Sequence, residues 1–433
     1  MLRAAHLRGP QRFIAAQPSR LPPGVSLRSM LHLLREPRTR LFFFAHALSS
    51  AGAGAGYAGL LLIAYQRHPG PWGITLVLLA EFLPAIVLGP IFGAAADRWS
   101  RRVCAVLAEL TRAAALISIA FVDSIEATVA LALVAGFGAG LFQPSILAGL
   151  PSLVVPDRVP AAMSLYGAVR EIGTTAGPAL AAIALIAVDA ETLVLADGIT
   201  FAVSAAALAV LPLDAGREAR AEAEGAASLL TDAREGIRAA RRLPGVSTLI
   251  LATSAVLLFA GMLNVAELLF ARNELHVGDS GFSVMIALGG AGIVIGSALG
   301  ARPASLGEQR RRYLAGMLMV GAALVGLSVA PGFGVACVAV LLVGVGNGLV
   351  LVYGRVLVQR IVPAALLGRV FGIKDSLISA AFGIAFLAAG ALIELIGVRE
   401  VLTIAGAGTV AVWAAAALLL RRSWPAETPA AAV

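Results

Sequence analysis

The feature that most constrains this chain is the recurrence of apolar runs of membrane length, separated by short charged breaks. Crossing about 30 Å of hydrocarbon takes about 20 apolar residues as a helix, which satisfies its backbone N–H and C=O groups within the segment. Transmembrane strands would read as stretches of about ten residues in strict alternation, and that pattern is absent. Composition excludes the soluble alternative. The chain is 59% hydrophobic and 13% charged, against about 25% charged residues in soluble domains. It is read as an all-α polytopic membrane protein.

From Leu41 onward twelve spans are expected, at 41–65, 73–96, 103–122, 127–149, 160–187, 192–212, 246–271, 281–300, 313–330, 334–359, 366–394 and 400–420. Orientation follows from arginines in alternate breaks, since Lys374 is the only lysine. One set holds the N-terminal arm, Arg98, Arg101 and Arg102, Arg158, the 213–245 segment, Arg302 and Arg310 to Arg312, Arg360, and Arg421 with Arg422. The other holds Arg67, Arg272 and Arg399, diluted by Asp123, Glu126, Asp189, Glu191, Glu274 and Asp279. Positive loops stay cytoplasmic, so both termini are expected inside a plasma-membrane protein. The net charge of +8 follows this topology and implies no nucleic acid.

Five segments are expected: a basic arm (1–39), a first six-helix bundle (40–212), a linker (213–245), a second bundle (246–421) and a tail (422–433). The arm, rich in arginine and proline, is open to three readings: a transit segment, a cytoplasmic arm, or sequence upstream of a true start at Met30. From Asp214 to Gly245 six arginines mix with six acids, as in a solvated linker with some helical character. Cys104 and Cys337 both lie in apolar runs, which argues against a disulfide framework or a metal site. No Gly-x-x-x-x-Gly-Lys-Ser/Thr stretch occurs, so ATP hydrolysis, other catalytic activity and cofactors are not expected.

The halves echo each other. Gly136-Phe-Gly138-Ala-Gly140 returns as Gly344-Val-Gly346-Asn-Gly348 in the corresponding span. Six plus six parallel repeats is an architecture of secondary transporters.

Certain motifs resemble a known family. Gly93-x-x-x-Asp97-Arg98-x-Ser100-Arg101-Arg102, between spans two and three, is similar to the signature loop of the major facilitator superfamily. A second copy, Gly296 to Arg302 followed by Arg310 to Arg312, places Gly300 where the aspartate would fall. Gly173-Thr-Thr-Ala-Gly177-Pro178 in span five resembles the glycine-proline signature of antiporters, with Ala181 and Ala182 where further glycines are usual. The resemblance covers about 40–421 and is nearest to bacterial multidrug, macrolide and siderophore exporters. It implies two six-helix bundles related by a pseudo-twofold axis. One departure concerns coupling: Thr128 to Phe137 holds no arginine, so the usual proton-coupling arginine of span four does not carry over.

Charges inside spans are expensive and should be paired or face a cavity. Glu81 lies inside span two; Arg170 and Glu171 lie about 16 Å into span five at 1.5 Å per residue; Lys374 and Asp375 lie at similar depth in span eleven. Neighbours on a helix point about 100° apart, so neither doublet is expected to pair with itself. Glu109 and Arg112 share a helix face and could pair, clamping span three. Glu171, Asp375 or Glu81 is the candidate proton carrier, with Arg112, Arg170 or Lys374 holding substrate or the deprotonated state. Asp197 and Glu267 read as interfacial. Gly52, Gly54, Gly56 and Gly59 read as a packing face, with a hinge as the alternative. Pro178 should bend span five, and Asp97 should latch the cytoplasmic end of span two to a basic or helix N-terminal partner in one conformation.

The function expected is proton-coupled export of small amphipathic or hydrophobic compounds by a monomer in the lipid bilayer. A metabolite importer or proton symporter, and a non-transporting sensor or lipid-handling protein, are the alternatives.

Overall fold

The computed structural model describes residues 27–214, 237–238, 240–300 and 304–422. The arm before residue 27, most of the expected linker, Arg302 and the tail from 423 lie outside the described residues. A short helix α1 (Leu27–Leu33) precedes α2 (Pro37–Arg67), α3 (Pro71–Arg98), α4 (Arg101–Ile119), α5 (Ile125–Gly149), α6 (Val159–Ala184) and α7 (Ala190–Ala209). After the linker come α8 (Val246–Gly261), α9 (Leu263–Leu269) with a π-helical turn Phe270–Glu274, α10 (Asp279–Gly300), α11 (Leu306–Ser328), α12 (Phe333–Ile361), α13 (Ala364–Ile396) and α14 (Val398–Arg422). Among the described residues there is no strand.

Helix starts follow local chemistry. The side chains of Ser100, Ser124, Asp189 and Ser305 accept the backbone N–H three residues on, which caps α4, α5, α7 and α11. Hydrogen bonds from the Thr192 side chain and backbone hold the Asp189 carboxyl below its usual range.

Nine segments among the described residues are long and apolar enough to cross a membrane. α4, α6 and α11 fall outside that group. α4 carries Arg101, Arg102, Glu109 and Arg112, α6 carries Arg170 and Glu171, and α11 carries Glu308 and Arg310 to Arg312. The count of twelve therefore does not follow from length and apolarity alone.

The packing repeats. In the first half α2 lies on α6 and α7, α3 on α5, and α4 on α5 and α7; in the second α8 lies on α13 and α14, α10 on α12, and α11 on α12 and α14. Matching α2 with α8, and α3 to α7 with α10 to α14, maps each pair onto its counterpart. The halves meet through α3 with α13 and α6 with α10, contacts that the same matching interchanges.

The repeated glycines explain why the wiring is the same. A methyl group on Gly136 or Gly140 would collide with α3, and one on Gly138 with α4; Gly344 and Gly348 stand in the same relation to α10, and Gly346 to α11. Each motif brings three helices to backbone contact, which only a residue without Cβ allows.

Among the described residues, the hydrogen bonds and ring contacts between the halves lie toward one end. The Trp72 indole donates to Glu394, the Thr75 hydroxyl lies 3.4 Å from the Phe386 carbonyl, and the Phe82 and Phe386 rings meet edge to face at 5.5 Å. Tyr57 and Tyr65 donate to Asn264 and Asn273 at 3.2 and 3.1 Å. These residues occupy the first part of α3, the later parts of α2 and α13, α9 and the π-helical turn after it. Toward the end bearing Gly93, the positions Gly89, Gly93, Gly167 and Gly372 have open space around them. The result is a cleft between the halves, open on the side of the signature loop.

Candidate functional site

A cavity of about 180 Å³ lies within the first half, walled by His46, Ser49 and Ser50 of α2, Arg112 of α4, Gln143 of α5 and Tyr166 and Arg170 of α6. His46 stacks on Tyr166 with centroids 4.4 Å apart, and neither imidazole nitrogen has a hydrogen-bond partner. The Arg112 guanidinium sits 3.7 Å over the ring of Phe201 on α7. Behind it, buried Glu109 accepts from the Ser204 hydroxyl at 3.1 Å with one carboxylate oxygen and has no partner on the other.

The expected Glu109–Arg112 pair is not formed. Residues three apart on α4 meet residues three apart on antiparallel α7, so Glu109 faces Ser204 and Arg112 faces Phe201. Each is held by α7 instead of by the other.

Asp197 joins the buried acids of the first half. It is 4% exposed, packed inside the protein, and lies where side chains on Gly52 and Gly56 would collide with it. The Thr200 hydroxyl is 3.4 Å from its carboxylate. The glycine face of α2 thus packs on α7 through Gly52, Gly56 and Gly59 and on α6 through Gly54, which is the packing role. Gly173 and Gly177 meet α2 from the other side, against Ser50, Ala51 and Gly54, and α6 stays helical through Pro178. A lone acid at the middle of a membrane helix costs about 2.5–3.5 kcal/mol on insertion scales. Glu109 and Asp197 both border α4 and α7 beside Arg112, so the first half concentrates its buried acids around one arginine.

A second cavity, about 160 Å³, lies where α2 meets the second half. Tyr57, Asn264, Glu267, Gly289, Gly344 and Asn347 are among its lining residues. Glu267, also expected at the interface, turns a buried oxygen toward no partner.

The two doublets behave differently from expectation. Arg170 pairs with Glu171 at 2.9 Å, and Lys374 with Asp375 at 3.9 Å. The side chains of Arg170, Glu171 and Asp375 are 45%, 50% and 71% exposed, so the open cleft leaves room for long side chains to bend across the 100° between neighbours. Glu171 lies one turn before Thr175, which meets Gly290 of α10, and Asp375 lies two turns before Phe382, which packs on Phe82 of α3. Both carboxylates therefore stand on the facing walls of the cleft. Lys374 is buried beside the Phe371 ring, which Arg355 also approaches. Glu81 keeps one buried oxygen without a partner.

At the signature loop, Asp214 sits on the N-terminus of α4. The Ser100 hydroxyl donates to its carboxylate, and the Arg101 N–H donates at 2.6 Å. The Asp97 side chain lies outside the described part of the structure; Arg101 is buried and Arg102 exposed. At the opposite end the sparse arginines are tied down: Arg272 to Asp279, Arg399 to Glu274, and Arg67 to Thr128 at 2.6 Å. Among the described residues no group of three His, Cys, Asp or Glu side chains could hold a metal ion, and Cys104 and Cys337 are not in disulfides.

His46 and Tyr166 escaped the sequence reading, although an ionisable histidine inside an apolar run is a signal in its own right.

Two like-wired sets of membrane helices, joined at one end and enclosing charged cavities, define a polytopic helical membrane carrier. The chain belongs to the Major Facilitator Superfamily, whose family profile matches residues 42–373. That membership makes it a transporter and not an enzyme. It is 28% identical over 369 residues to the uncharacterized MFS-type transporter YfiS of Bacillus subtilis, covering 81% of this chain and 85% of that one. It is 26% identical over 379 residues to the multidrug efflux pump Tap of Mycolicibacterium fortuitum, covering 83% and 90%. In fold it is similar to the nucleoside transporter NupG, with a TM-score of 0.70 at 14% identity over 89% of this chain and 100% of that one. It is also similar to a bacterial homologue of the human lysosomal transporter Spinster in an inward-facing, unoccupied conformation, with a TM-score of 0.66 at 14% identity over 93% and 100%.

Proposed function

We propose that this protein is a proton-coupled exporter of small amphipathic or hydrophobic compounds. The observation that carries the reading is the buried cluster of the first half, where Glu109 and Asp197 flank Arg112 beside a polar cavity. A proton bound to either acid neutralises a carboxylate near Arg112 and its loss restores that charge, so protonation is linked to the field in the cavity that Arg112 lines. The likeness to the efflux pump Tap supports export.

In this reading all twelve expected spans cross the plasma membrane of a monomer, with both termini cytoplasmic. The bundles 40–212 and 246–421 rock about their contact, tethered by 213–245. The cleft then opens to the cytoplasm and the Trp72–Glu394 end is closed to the outside. Substrate enters past Glu171 and Asp375. Asp97 latches the cytoplasmic end of α3 when the cleft shuts, and the open space around Gly93 corresponds to the latch released.

Everted vesicles loaded with a pH-sensitive dye test the reading. Adding exported compounds, such as those to which a deletion strain becomes sensitive, should release protons and dequench the dye. If such compounds never dequench it, proton coupling is refuted; if a metabolite accumulates with protons in whole cells, export is refuted in favour of symport.

A further inference from the structure

The repeat supplies an internal control for the charged cluster of the first half. A methyl group on Gly138 would strike the Ala108 carbonyl and the Arg112 stem, and one on Gly346 would strike the Gly316 carbonyl and Val320 in the same way. Gly198 meets Ala113 and Ile117 as Gly406 meets Gly321 and Val325. The contacts of α4 with α5 and α7 thus correspond, residue by residue and at one interval in sequence, to those of α11 with α12 and α14. That correspondence places Val320 where Arg112 stands, Met317 for Glu109, Ala405 for Asp197 and Thr409 for Phe201. All four replacements are uncharged and fully buried, so the packing itself requires neither the charges nor the ring. Cation and ring are present together in one half and absent together from the other.

A cation within a span needs a partner. The Arg112 charge acts on Glu81 of α3, Glu109 of its own helix and Asp197 of α7, and on His46 and Tyr166 across the cavity, where Arg170 is a further cation. Among the described residues it nonetheless forms an ion pair with none of the three acids. Its guanidinium rests on the Phe201 ring at 3.7 Å, one turn along α7 from Asp197. A ring face attracts a cation without neutralising it, and less strongly than a carboxylate in a medium of low dielectric. We propose that Phe201 is a positioning residue of the proton-coupling site. Its ring holds Arg112 off Glu109 and Asp197 while they are protonated, and yields the guanidinium to whichever acid ionises. The inference rests on the coupling role given to these acids above and adds the group that governs their access to the arginine.

Infrared titration of purified protein in lipid nanodiscs reads the acids directly, with no substrate and no gradient. The protonated-carboxyl band is followed against pH and assigned with Glu81→Gln, Glu109→Gln and Asp197→Asn. Phe201→Leu releases the guanidinium toward the acids and should weaken proton binding by the acid it reaches about tenfold, a fall of about one pH unit in its midpoint. Phe201→Trp, which keeps an aromatic face, should retain the wild-type midpoint. In an Arg112→Gln background Phe201→Leu should have no effect, since no cation is left to position. The proposal is overturned if Phe201→Leu leaves the midpoint unchanged, if Phe201→Trp lowers it as far, or if the shift survives the loss of Arg112. Should Phe201→Leu not yield monodisperse protein, replacing Phe201 by pentafluorophenylalanine decides, because that ring has nearly the same shape and the opposite charge on its face. It should lower the midpoint as leucine would, and an unchanged midpoint overturns the proposal. A shift that depends on Phe201 with no dye response in vesicles would instead refute proton-coupled export alone.

Discussion

The two cavities are alike in size and opposite in sign. The one inside the first half is walled by His46, Arg112 and Arg170 and by no carboxylate; the one at the junction is walled by Glu267 and by no cation. They are walled by different helices, the first by α2 and α4 to α7 and the second by α2 with α8, α9, α10 and α12, although the two halves are wired in the same pattern. Backbone wiring and polar content answer to different pressures. Gly136 and Gly138 match Gly344 and Gly346 because backbone contact tolerates nothing larger, and Gly140, against the Phe92 ring, matches Gly348. A charge inside a cavity answers only to what must bind or titrate there, so the two halves are free to differ in it.

The shared scaffold is the easiest part of this comparison to break. Gly136→Val and Gly344→Val should each destabilise the protein by about 1–3 kcal/mol or more through overpacking against backbone, read as loss of monodisperse protein after extraction. Gly167→Leu and Gly372→Leu, which enter open space here, should leave the protein folded but impair transport by obstructing closure of the cleft. Equal tolerance at all four positions would deny that the glycine motifs set the wiring.

Next comes the difference in sign. Arg112→Gln removes the cation between Glu109 and Asp197 and should reduce proton-linked transport about tenfold or more, about 1.4 kcal/mol in barrier terms.

The smallest effect expected is at the signature loop. Its second copy keeps arginines and loses the aspartate, so topology does not require Asp97. Asp97→Asn should lower transport several-fold with insertion intact, the magnitude of one charge-assisted contact made in a single conformation, about 1–2 kcal/mol. Normal transport by this variant would leave the loop as a topological marker only.

Much of the architecture was legible along the chain because hydrocarbon thickness imposes a length on every span, and backbone contact imposes glycine at fixed positions. The site was legible only in part. Arg112 and Arg170 were identified from charge in apolar runs, and both line the first cavity. Asp197 and Glu267 were assigned to the interface from their place along the span, whereas burial depends on which helix lies alongside: the glycine face of α2 receives Asp197. The Arg170–Glu171 and Lys374–Asp375 pairs depend on the width of the cleft, to which helical spacing is blind.

The sequence by itself determined a helical membrane transporter of duplicated design and its family, since a bilayer, a repeat and a signature loop act on residues near one another in the chain. Which acids share an arginine, which cavity carries which sign, and at which end the halves meet were decided by tertiary structure alone. These depend on side chains brought together from different helices, where a rotation of one helix by 100° changes every partner.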